Sequence, residues 1–168
     1  MSLTELGAIG EFVGAVAVVV SLLFLAVQLR SNTHALRATS YQAIHDSEDR
    51  FYSDVSNDAD LARIWKQGAH GIDEVPPEDR PRWEMLGQRY VFLIQTVHYQ
   101  RRKGMIDDEF WTAWDQGWIE MIATHVGIQE IYARNQSVYT PKFREYTEAC
   151  RSRFRDGRAA LLVGERQG

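Results

Sequence analysis

Residues 12–29, FVGAVAVVVSLLFLAVQL, form an uncharged run of 18 residues. Wound as a helix at ~1.5 Å per residue, such a run reaches roughly the thickness of a bilayer's hydrocarbon core. The run is apolar around its whole circumference, and Val18, Val19 and Val20 followed by Ser21 leave no polar face for a soluble helix to turn toward water. The alternative is the buried central helix of a globular domain, but a chain of 168 residues with one such helix and several amphipathic ones has too little material to surround it. The segment therefore predicts a helix that spans a membrane.

A cleavable signal peptide begins with a positive segment and ends at a small-residue cleavage site. Here Glu5 and Glu11 precede the apolar run, and Val27, Gln28, Leu29 and Arg30 close it, so the segment is expected to stay attached. Arg30 and Arg37 follow the span while no Lys or Arg precedes it, which by the bias of basic residues toward the cytoplasm places the N-terminus outside. The single cysteine, Cys150, agrees with a reducing compartment for the bulk of the chain.

Gly7, Gly10, Gly14, Ala17 and Ser21 recur at spacings of three and four and share one helix face, with Gly10 and Gly14 as a G-x-x-x-G pair. In lipid there is no hydrophobic gain from hiding Leu behind Leu, so close backbone approach across small residues drives helix association. The stripe predicts a homo-oligomer. Continued along the helix, the same spacing reaches Phe24 and Gln28. With Glu11 at the outer end, the set Glu11, Ser21, Phe24 and Gln28 is the lining expected if an oligomer encloses an ion pathway. Small residues weigh against that alternative, because helices packed so closely leave no axial hole.

After Arg30 no proline or glycine occurs until Gly68, and Leu36, Ser40, Ala43, Ile44, Ser47, Phe51 and Val55 keep a helical spacing, so the spanning helix is expected to run on. Ser56 or Asn57 then serves as a cap for a short helix with Leu61, Ile64 and Trp65, ending near Gly68. A longer helix is expected from about Pro77, carrying Trp83, Leu86, Tyr90, Leu93 and Val97 to a stop at Gly104. Asp107 caps another, with Phe110, Trp111, Trp114, Trp118, Met121 and Ile122 on one face and an end near Gly127. A short helix over 128–134 leads to Thr140 and Pro141, which open a last helix with Phe143, Tyr146, Cys150 and Phe154. No segment alternates like a strand. The expectation is an all-α protein: residues 1–30 a transmembrane anchor helix, continuing into a cytoplasmic helical bundle of residues 31–168.

These landmarks resemble a widespread, uncharacterised family of small bacterial proteins with an N-terminal membrane anchor and a helical cytoplasmic domain. The matching stretches are VQLRSNT at 27–33, LARIW at 61–65, Tyr99 and Gln100 through Gly104 to Ile106, Asp107 and Asp108, then Trp111, and TPKFR at 140–144. The resemblance implies the architecture and a bacterial inner-membrane location, and it carries no activity.

Motifs for chemistry are missing. The chain has no phosphate-cradling glycine loop, no paired Cys or His for zinc, no H-E-x-x-H, and no Glu followed three residues later by His, as a di-iron bundle requires. His45 with Asp46, Glu48 and Asp49 is the only dense group of potential ligands, and consecutive residues point around a helix, so a solvated surface is expected rather than a metal site. Cys150 lies on an apolar stripe, as a buried inert thiol does. An enzyme would need a polar cluster among Trp83, Tyr90, His98, Trp111 and Glu120, which no spacing indicates.

Residues 46–60 hold six acids against Arg50 alone, whereas Lys142, Arg144, Arg151, Arg153, Arg155 and Arg158 make the last helix basic; such patches can pair between subunits. A net charge of −4 argues against nucleic acid. The expectation is a single-pass inner-membrane protein that self-associates and presents an interaction domain to a cytoplasmic protein partner, without catalytic residues, metal or cofactor. The lipid bilayer is its first partner, and an oligomeric ion channel is the alternative.

Overall fold

The structure, a computed structural model, describes the backbone of residues 3–164, with the surroundings of side chains at Gly7 and at 11–156. Among the described residues the chain is all-helical, with six α-helices, two single 3-10 turns and no strand. It divides into two compact units, one ending at Thr39 and the other beginning at Ser40.

Helix α1 (Leu3–Asn57) contributes to both. In the first unit every described side chain from Glu11 to Thr39 is exposed. Helix α1 continues unbroken, with no glycine or proline after Gly14 to interrupt it, and Ser21, Thr33, Thr39 and Ser47 each satisfy their hydroxyls by donating to the carbonyl four residues back, at 2.8–3.0 Å.

The second unit starts where α1 acquires a buried edge, at Ile44 and Phe51. The break before α2 (Ala59–His70) is made by Asp58, not by Ser56 or Asn57, which remain in α1. Asp58 adopts extended backbone, and its carboxylate accepts from the amides of Asp60 at 2.9 Å and Leu61 at 3.0 Å, so it satisfies two otherwise orphaned donors. Helix α2 runs past Gly68 and stops at Gly71, whose φ of +137° suits glycine.

After a 3-10 turn at Ile72–Glu74, the carbonyl of Pro76 accepts from the amides of Asp79 and Arg80, forming a turn. Helix α3 (Arg80–Arg102) follows with Pro81 in its first turn, so it starts later than the Pro77 the sequence suggests, which lies in the turn before it. Gly104, at φ +70°, follows its end. Asp107 caps α4 (Asp108–Thr124), accepting from the amide of Phe110 at 2.8 Å. Helix α4 ends at Thr124, three residues before Gly127, and His125, whose backbone is extended, closes it and also opens α5 (Val126–Arg134). A 3-10 turn at Gln136–Val138 and Thr140 precede α6 (Pro141–Gly164), as the Thr and Pro pair predicts.

Trp83 of α3 is at the centre, with none of its surface exposed. Two glycines let the neighbouring helices close over it. A β-carbon added to Gly68 of α2 would overlap the indole ring of Trp83, and one added to Gly127 of α5 would overlap the Gly68 carbonyl oxygen and press on the same ring. Gly127 is thus a packing residue at the crossing of α2 and α5 rather than a helix terminus. Trp65, Phe51, Tyr90 and Trp118 continue the aromatic core outward, with successive ring centroids 5.1–6.4 Å apart.

The two kinds of helical glycine predict opposite effects. Gly127→Ala is expected to destabilise the fold by about 3 kcal/mol or more, because backbone is the obstructing partner. Gly117→Ala, mid-α4 with open space around its β-carbon, is expected to stabilise by ~0.5–1 kcal/mol. Denaturant midpoints of the two variants check the pair.

Candidate functional site

In the first unit, the small-residue face lies open. Nothing stands within 4 Å of a β-carbon built at Gly7 or Gly14, and Ala17 and Ser21 are exposed. Gly10 lies outside the residues whose surroundings the structure describes. Ser21 Oγ donates to the Ala17 carbonyl at 2.8 Å, which leaves the face without an unmet polar group at that level. Glu11, Phe24 and Gln28 are also exposed.

In the second unit, polar groups missed by the sequence reasoning join α4 to α6. Asp115 accepts from Tyr146 Oη at 2.7 Å and from both terminal nitrogens of Arg153 at 2.9 Å, and Arg153 also donates to Cys150 Sγ at 3.2 Å. The paired geometry is that of a charge-assisted guanidinium–carboxylate fork. Asp115 holds the Arg153 guanidinium above its usual range, and burial pushes both Tyr146 and Cys150 up. Cys150 is fully buried.

His98, 7% exposed, stacks on the Tyr146 ring at 4.5 Å with 14° between planes, and lies near Phe143 and Trp111. Burial first, and the Arg102 charge second, lower its pKa to about 4. Glu120 is exposed on α4, so it and His98 occupy different environments. Among the described residues no three His, Cys, Asp or Glu side chains are grouped to hold a metal ion.

A cavity of about 260 Å³ opens between α1, α3 and α4 of this unit, lined by Glu48, Tyr52, Tyr90, Trp114, Gly117 and Trp118 with apolar neighbours. Burial raises the Glu48 carboxyl, with His45 opposing, and raises the Tyr52 and Tyr90 phenols, both of which also feel the Glu48 charge. Trp118 is 1% exposed and its indole N–H has no acceptor. A signal existed in the sequence: Glu48 and Tyr52, and Trp114 and Trp118, are each four residues apart and so share a helix face. What no spacing reveals is that these faces meet around Tyr90.

Part of the acidic stretch and part of the basic last helix pair within the fold. Asp54 pairs with Arg89 at 2.6 Å and Asp60 with Arg63 at 3.3 Å, while Arg153 pairs with Asp115, Lys142 with Glu145 and Arg151 with Glu148. Among the described residues the fold defines an all-α protein whose N-terminal helix is long and apolar enough to cross a membrane, with an 18-residue window of mean hydropathy 2.6. No family model, curated protein or solved structure matches the chain.

A histidine with a depressed pKa makes stability pH-dependent. The unfolded chain takes up a proton near pH 6.5 that folded His98 refuses until about 4, so its contribution is complete above 6.5 and is lost as pH falls through that window. Between pH 7 and 4.5 wild type is expected to lose up to about 3 kcal/mol more than His98→Phe. Urea midpoints of both proteins across that range check it.

Proposed function

We propose that this chain is a single-pass bacterial inner-membrane protein, with residues 1–30 as its anchor and the N-terminus outside. Residues 31–168 then act as a cytoplasmic helical domain that engages a protein partner. The observation that carries this is the exposure of the apolar run. Twelve large hydrophobic side chains between Phe12 and Leu29 are 45–71% exposed. At ~1.5–3 kcal/mol for each such side chain left in water, an aqueous setting forfeits on the order of 20 kcal/mol, more than a domain's whole stability. A bilayer removes the penalty, and the single hydroxyl within the run, Ser21, already has its hydrogen bond. The orientation rests on Arg30 and Arg37 following the span.

Within the bilayer the anchor associates with copies of itself through Gly7, Gly10, Gly14, Ala17 and Ser21. The open space around Gly7 and Gly14 supports this, because a partner backbone can come close there. The proposal asks no catalysis, cofactor or metal of the chain.

Two experiments test it. The full chain is expected to remain in membranes after alkaline carbonate extraction, and Val19→Arg with Leu22→Arg, at about 3 kcal/mol each near the span's centre, is expected to release it. A wild-type chain that is soluble without detergent overturns the anchor. For the oligomer, Gly10→Ile with Gly14→Ile is expected to lower the particle mass in maltoside micelles, measured by light scattering; an unchanged mass overturns the packing face and leaves the anchor standing.

A further inference from the structure

The cavity between α1, α3 and α4 presents chemistry that packing alone does not explain. Tyr52, Tyr90, Trp114 and Trp118 supply four aromatic rings to its walls, Glu48 supplies a carboxylate, and no Lys or Arg lines it. The Trp118 N–H is buried without an acceptor, but so are the Trp83 N–H and the Tyr139 and Thr147 hydroxyls away from the cavity, so it is the aromatic walls and the carboxylate that set the cavity apart. Ring faces carry negative electrostatic potential, and with a carboxylate beside them they favour a positive guest.

The kind of cation follows from the walls. A divalent metal exchanges its water shell for six or more oxygens, whereas this lining offers one carboxylate and two phenols among apolar groups. An alkylated ammonium has little bound water to lose and gains from contact with rings. At about 260 Å³ the cavity is near the small end of ligand pockets.

We infer that the cavity lined by Glu48, Tyr52, Tyr90, Trp114 and Trp118 binds a small alkylammonium ligand, for which choline is the probe. The cation sits against the aromatic walls with Glu48 as its counter-charge. The site is independent of the membrane assignment, so either can fail alone.

The test uses the full chain in nanodiscs of phosphatidylglycerol, titrated with choline chloride and, separately, with sodium chloride at equal ionic strength, followed by tryptophan emission and calorimetry. Saturable binding of choline in the millimolar range or tighter is expected, with none for sodium. Gly117→Leu, which fills the cavity from a position with open space around its β-carbon, is expected to abolish binding while the thermal transition is retained. Glu48→Gln, at a half-buried position, is expected to weaken it roughly three- to tenfold. A choline response equal to that of sodium, or full binding by Gly117→Leu, overturns the proposal. Repeating the titration in phosphatidylcholine nanodiscs separates the sources: weakened apparent affinity for free choline marks the lipid headgroup as the natural ligand, and unchanged affinity marks a dissolved one.

Discussion

The helical unit depends on one close approach, the crossing of α2 and α5 over the face of Trp83. Two backbones come together there without an intervening side chain, because Gly68 and Gly127 carry none, and the indole fills the space beneath them. Interiors pack as densely as organic crystals, so a flat ring held against backbone on one side fixes the position of everything on the other. Trp65 and Tyr90 stack outward from that point, Trp118 meets Tyr90, and Phe143 of α6 meets Trp118 at 5.9 Å. The core is a chain of rings whose first member is pinned by two glycines.

The all-α class, the spacing of apolar faces and most helix limits were legible in the sequence because they are local. Asp107, Thr140 and Pro141 act at the ends the sequence indicates, since a cap needs only the amides of the next turn. Where two local signals compete, the tertiary structure decides. Asp58 outdoes Ser56 and Asn57, α3 starts at Arg80 rather than near Pro77, and Gly127 lies three residues beyond the end of α4 because its place is set by Trp83. The cavity and the Asp115 fork were not legible. Each joins helices far apart along the chain: Tyr146 is 31 residues from Asp115 and Arg153 is 38. Periodicity states which residues share a face, and nothing in it states which faces meet.

The polar groups of the core divide into two kinds. Asp115, Tyr146, Arg153 and Cys150 form a closed set in which each acceptor meets a donor, and a satisfied network of that sort specifies how α6 docks on α4. Elsewhere in the core, by contrast, the indole N–H groups of Trp83 and Trp118 and the hydroxyls of Tyr139 and Thr147 are buried without a partner. Unmet groups cost about 1–3 kcal/mol each, and a fold that can close one network could close another.

Cys150 is the chain's only thiol, and α6 carries it fully buried, with a hydrogen bond from Arg153 and a titration pushed up by burial. A reagent that attacks thiolates meets it only when α6 lifts away from α4. The protein therefore contains its own clock for that opening. Where the reagent outpaces reclosing, the rate at which Cys150 is modified under native conditions reports how often the helix lifts, and where it does not, the rate reports the fraction of time the helix is open, with no second thiol to confuse the signal.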